Sequence, residues 1–245
     1  MMGIKENSCW VIACDVLQDE VAHFSQDLPH LAGVEYLEMG LHDRPDHLRE
    51  QLNHRIGQAA EHQGVETVIL VYGLCGSALA GVGSDRLRVV LPRAHDCITL
   101  FLGSKEAYAE RRQGHTGEYY YTPGWNRGDR VPSAEKFERL RKRFTEQFDE
   151  EEAEYLVEME RAFYKPYHTA THLHLGVGDP EGSAAHARKC AAGLGWNFQS
   201  LKGDPTLLRD LLAGEWDAER FCLLQPGQKL QISAGPDIIR PCPGR

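Results

Sequence analysis

The chain lacks any uninterrupted apolar run near the roughly 20 residues needed to cross a bilayer. It also lacks an excess of positive charge: 27 Lys and Arg stand against 36 Asp and Glu, for a net charge of −9. A protein that grips the phosphate backbone normally carries the opposite sign, so nucleic acid is excluded as a general partner. Close Cys-x-x-Cys pairs, the usual mark of a structural zinc staple, are missing. So are a phosphate-loop lysine motif and any fixed-period repeat. The stretch MMGIKENSCWVIAC has too short an apolar part for a secretory signal, and no small-residue cleavage site follows it. The final IIRPCPGR puts Cys242 at prenylation spacing, but Pro243 and Gly244 are not aliphatic and Arg245 is an unusual last residue. The expectation is a cytoplasmic protein with no membrane partner, whose cysteines stay reduced.

What is present is an ordinary globular composition over 245 residues, with 42% hydrophobic and 26% charged residues. Short apolar runs alternate with helix-like stretches. CWVIA (9–13), GVEYLE (33–38), ETVILVY (66–72) and RVVL (88–91) read as strands. Leu48, Leu52, Ile56 and Ala60, four residues apart, predict a helix over about 45–62. Helices are also expected from Asp96 and from Ser104. GHTGEYYYTPGWNRG (114–128) reads as a loop, and residues 133–164 as one or two mostly solvated helices. The α/β rhythm then resumes, with strands at 172–177, 196–201 and 221–225. These features predict a three-layer α/β fold with a mainly parallel sheet, arranged as two Rossmann-like lobes. The expected boundaries are 1–130 for an N-terminal lobe, and 131–245 for a helical connection and a C-terminal lobe.

Three of the seven cysteines hold equivalent positions. Cys14 follows the first strand, Cys75 follows the third in YGLCG, and Cys97 follows RVVL in PRAHDC. Each stands at or just before an expected helix start. Ligands of open parallel sheets bind outside the carboxyl ends of the strands. Three neighbouring strands would aim the three thiols at one place, where helix N-termini favour thiolates. Two metal sites suit such a set. One is a 4Fe–4S cluster with one iron free of a protein ligand. The other is zinc, with His95 as a fourth ligand or with an open position. A third reading pairs Cys97 with His95 as nucleophile and base.

YGLCG (72–76), PRAHDC (92–97), LGS (102–104) with Tyr108 following, and GEYYYTPGW (117–125) resemble the bacterial and archaeal domain-of-unknown-function 1638 family. GWNFQSLKGD (195–204) and LLQPG (223–227) extend the likeness over most of the chain. The resemblance implies a cysteine at each of Cys14, Cys75 and Cys97, and it brings no established activity. It also implies a setting in anaerobes and methanogens, near corrinoid-dependent methyl transfer. Cys9, Cys190, Cys222 and Cys242 lie outside these motifs and read as ordinary thiols.

Around the three thiols, His95 is the expected acid or base, because its unperturbed pKa lies near neutrality. Arg93 is expected to hold a substrate carboxylate by a forked pair of hydrogen bonds. Tyr120 and Trp125 are expected on a loop closing over the site. His172 and His174 read as polar strand histidines. The favoured function is a metalloenzyme in which an open-iron 4Fe–4S cluster acts on a small polar substrate by desulfuration or elimination. The alternatives are a zinc-thiolate methyltransferase and a corrinoid or methyltransferase accessory protein. A homo-oligomer is compatible with each.

Overall fold

The computed structural model describes residues 4–128 and 130–244. The chain forms two compact units, Met1–Ala109 with Gly203–Arg245 and Glu110–Lys202. The first opens with β1 (Cys9–Cys14), α1 (Gln18–Phe24), β2 (Leu31–Leu37), α2 (Pro45–Ala59), β3 (Thr67–Val71), β4 (Gly83–Ser84), β5 (Arg88–Pro92) and α3 (Cys97–Leu102). The units divide inside α4 (Lys105–Gly114). The second holds β6 (Glu118–Tyr121), α5 (Pro123–Asn126), α6 (Ala134–Thr145), α7 (Glu150–Tyr164), β7 (Thr169–His174), α8 (Pro180–Leu194) and β8 (Asn197–Lys202). The chain then returns to the first unit as α9 (Thr206–Ala213), β9 (Phe221–Leu224), β10 (Gln228–Ile232) and β11 (Ile239–Pro243).

The main sheet of the first unit runs β2-β1-β3-β5-β9. The first four strands are parallel, and β9 is antiparallel to β5. All five residues of β3, TVILV, are buried, as expected of a β-branched strand covered on both faces. On one face Ile12, Val68, Leu70, Val89 and Leu91 pack with Leu48, Leu52 and Ile56 of α2. On the other, α9 lies over β3 and β5 and touches α1 and α3. The result is the three-layer α/β arrangement. β4, β10 and β11 form a small antiparallel sheet.

The second unit is a parallel sheet, β6-β7-β8, with α8 packed on it and α6 and α7 paired as a helical hairpin. Two expectations change here. Residues 131–245 are shared between the units, because β9 pairs with β5 and takes the C-terminal strands back to the first sheet. The loop expected over 114–128 contains β6 and α5. Three successive tyrosines favour extended backbone. Thr122 then caps α5 by accepting from Trp125 N, with Pro123 in its first turn. No helix among the described residues is long and apolar enough to cross a membrane.

Beyond the sheet edge, the chain after β3 runs against the chain after β5. Leu74 N donates to Ala94 O at 2.8 Å, and Cys75 N to His95 O at 2.9 Å. Gly73 makes this approach possible, since a Cβ there would lie 2.4 Å from Asp96 Cα. That neighbour is backbone and cannot yield easily. Gly73→Ala is therefore expected to cost about 3 kcal/mol in urea unfolding. Gly57→Ala, on the exposed side of α2 with open space around it, is expected to stabilise by about 0.5–1 kcal/mol. Similar unfolding midpoints for the two variants would refute this account of the approach.

Candidate functional site

The sheet order places β2 on one side of β1 and β3 on the other. The chain thus reverses its winding between β1 and β3, and such a switch point opens a crevice at the carboxyl ends of the strands. Cys14 is the last residue of β1. Cys75 lies in the loop that follows β3, and Cys97 is the first residue of α3, after β5. The three strands are adjacent and parallel. None of the three is in a disulfide, and all three are half-buried.

Cys14 and Cys75 are close enough for each charge to matter to its surroundings. Burial pushes the Cys75 thiol from 9.0 up to about 12, and the neighbouring Cys14 and Asp96 add to the rise. Burial likewise pushes Cys14 up to about 11, although its sulfur accepts from the Val16 backbone. The helix expected to start after Cys75 is a run of turns instead, and only a single 3-10 turn (Asp15–Leu17) follows Cys14, so lost hydration is left to set both thiols. Cys75 has a φ of +46°, rare for a residue with a side chain. Its bond to His95 O holds it in that conformation.

Tyr72 lies between the two thiols and was not singled out by the sequence. It is 4% exposed and continues the face of Leu70 into the same core cluster. Its hydroxyl lies beside the Cys14 sulfur but has no hydrogen-bond partner of normal geometry. Burial first, then the Cys14 and Cys75 charges, raise its pKa well above the ordinary value of 10.0. The only sequence signal was its place at the end of ETVILVY, where strand alternation carries it to the core side.

The PRAHDC loop is organised by Asp96. Its carboxylate accepts from Ile98 N at 3.0 Å and Thr99 N at 3.4 Å, capping α3, and from the Tyr108 hydroxyl at 2.7 Å. The His95 ring is exposed and stacks on Tyr108 with centroids 5.2 Å apart. Arg93 is engaged elsewhere. Its Nε donates to Ala218 O at 3.0 Å, and its Nη1 to Asp237 O at 2.9 Å and to Ile239 O. It ties the C-terminal strands to the sheet, so the guanidinium fork expected to hold a carboxylate is already occupied by carbonyls.

Tyr120 and Trp125 belong to the second unit. Tyr120 donates to Glu118 at 3.0 Å, and Arg111 grips the same carboxylate at 2.6 and 3.0 Å. Trp125 is partly buried against the second unit's core cluster, which includes Tyr121, Ala170 and Ala187. His172 is fully buried, with its ring nitrogens at 3.0 and 3.1 Å from Ser200 and Ser183 hydroxyls. Burial lowers its pKa to about 4, the behaviour of a neutral core histidine. Among the described residues, no three His, Cys, Asp or Glu side chains are gathered as a site for a single metal ion.

A family model for proteins of unknown function, DUF1638, matches residues 36–212. The match includes Cys75, His95 and Cys97 and begins after Cys14. No curated protein and no solved structure matches the chain.

In metal-free protein at pH 8, Cys14 is expected to react with iodoacetamide roughly a hundredfold more slowly than an unperturbed cysteine, and Cys75 roughly a thousandfold. Peptide mass spectrometry across pH would read both, and a labelling midpoint below pH 9 at either would contradict the assignment. Both pKa values are raised in the fold, so the stability they contribute is intact below pH 9 and is lost as pH rises through about 11 to 12.

Proposed function

Since the chain belongs to the DUF1638 family, described only as proteins of unknown function, we propose a function from its own residues: a metalloenzyme of reduced cytoplasm whose Cys14, Cys75 and Cys97 hold a 4Fe–4S cluster. One observation carries the reading. Cys14 ends one of the two strands that flank the switch point and Cys75 lies in the loop after the other, with the buried Tyr72 hydroxyl beside the Cys14 sulfur. Cys97 supplies a third sulfur from the next strand outward. The donor set suits the group: three thiols with no fourth protein ligand leave one iron open. A single zinc held by the same thiols, alone or with His95, is the alternative.

When bound, such a cluster supplies an open Lewis-acidic iron for a sulfur or hydroxyl of a small polar substrate. The chain's own groups do the rest. Desolvation at Cys14 and Cys75 keeps both thiols protonated until a cation displaces the protons. Tyr72 keeps its proton for the same reason and has a hydroxyl free to donate to a bound group. His95, exposed at the rim and stacked on Tyr108, can give or take a proton at its ring nitrogen. These roles fit desulfuration or elimination, in which a proton must be removed from carbon and another delivered to a leaving group. Arg93 serves this reading by fixing the loop, through its bonds to three carbonyls.

Protein purified without oxygen is expected to be brown, with iron and acid-labile sulfide in about a four-to-four ratio. Cys75→Ala should lose most of both. Colourless protein with one zinc per chain would transfer the reading to zinc-thiolate methyl transfer. Unchanged metal content in Cys75→Ala would remove the three-thiol site altogether.

A further inference from the structure

A cleft of about 330 Å³ opens in the second unit, lined by α6, α7 and the end of α8. That volume suits a small molecule. The lining is largely aromatic. Phe137 comes from α6, Tyr164 from α7, and Tyr167 and Trp196 from the segments that lead into β7 and β8. Phe137 and Tyr164 are buried, and Tyr167 and Trp196 are half-buried. The rings stand at angles to one another. Phe137 and Tyr164 meet edge to face with centroids 6.0 Å apart, and Tyr167 is tilted against Trp196 at 6.2 Å. A planar ring entering the cleft can therefore meet both edges and faces.

The charged part of the lining says what that ring must carry. Arg161 and Lys165, four residues apart, fall on one side of α7 and its last turn. The Arg161 guanidinium lies over the Phe137 ring, 5.0 Å from its centroid. Its Nε has no hydrogen-bond partner. Its Nη1 makes only a loose ion pair with Glu158, at 3.7 Å. The side chain is 41% exposed, so its terminal nitrogens are open to a ligand. Stacking on Phe137 thus holds the guanidinium fork in place and leaves its donors unused. Lys165 is exposed beside it, and Glu138 is the acid of the lining. In a chain of net charge −9 this local excess of cations favours an anion.

We propose that this cleft binds a small planar aromatic carboxylate. Its ring lies among Phe137, Tyr164, Tyr167 and Trp196, and its carboxylate is forked on Arg161 with Lys165 beside it. The inference does not rest on the cysteine site.

Ligand-detected NMR titration of the full chain with phenylpropanoate tests it. A dissociation constant of roughly 1 mM or below is expected for a compound of this size. Phenylpropanamide, which lacks the charge, should bind at least tenfold more weakly, because the charge-assisted bonds to Arg161 are lost. Cyclohexylpropanoate keeps the charge without the aromatic ring and should bind roughly threefold more weakly. Arg161→Gln should weaken phenylpropanoate at least tenfold, with unchanged circular dichroism. Absence of phenylpropanoate binding at roughly 10 mM overturns the proposal. So does an amide or a cyclohexyl compound that binds as tightly as phenylpropanoate, or an Arg161→Gln variant that binds like the wild type. The comparison of compounds uses the unaltered chain, so it stays decisive even if Arg161→Gln disturbs the packing of α7.

Discussion

Two backbone hydrogen bonds beyond the edge of the main sheet hold the candidate site in shape. Leu74 N to Ala94 O and Cys75 N to His95 O continue the β3–β5 pairing into the loops where the chemistry-bearing residues stand. They require the two chains to approach closely, and Gly73 permits it by presenting no Cβ to Asp96. Once the loops are in register, Cys75 is fixed in a left-handed conformation that a residue with a side chain adopts only when its surroundings dictate it. Asp96 is fixed as well, so one carboxylate caps α3, orders Tyr108 and adds negative charge beside Cys75. The sheet determines where the loops begin, and the loop contact determines where the sulfurs end.

Within that frame, lost hydration governs the thiols, because turns follow Cys75 and only one 3-10 turn follows Cys14, leaving no full helix end to oppose it. Burial pushes Cys14 up to about 11 and Cys75 up to about 12. The thiols are therefore stored as neutral groups, poor nucleophiles and slow to oxidise. Tyr72 follows the same logic. Its hydroxyl has only the weakly accepting Cys14 sulfur beside it, so part of the roughly 1–3 kcal/mol cost of an unsatisfied buried hydroxyl remains. A bound group that accepts from the hydroxyl and takes the thiol protons would relieve both penalties at once.

The parts of this picture that depend on short-range pattern were legible in the sequence. A strand buried on both faces reads as a continuous apolar run, so β1, β3 and β5 were found, and with them the positions of Cys14, Cys75 and Cys97 at their ends. The α2 stripe was found because side chains four apart share a face. What was missed depends on distant partners. The return of β9 to β5, which overrides the expected division at residue 130, joins residues more than a hundred apart. Arg93 was read as an anion holder because its carbonyl partners lie 125 to 146 residues further on. The GEYYYTPGW segment was read as a loop because its glycines and proline outweighed the strand preference of three tyrosines, which a neighbouring β7 then satisfied. The raised thiol pKa values needed the third dimension, since burial is the one cause that residue spacing does not encode.

The topology also ranks the three cysteines. Ligands gather at the switch point because there the two flanking crossovers leave on opposite sides of the sheet and open a gap that a continuous winding would close. In this sheet the gap lies between β1 and β3, so Cys14, Tyr72 and Cys75 border it directly. Cys97 stands one strand further out and begins a helix whose start Asp96 already caps. A ligand bound by Cys14 and Cys75 alone would sit in the crevice, and one that also engages Cys97 must extend across the end of β3.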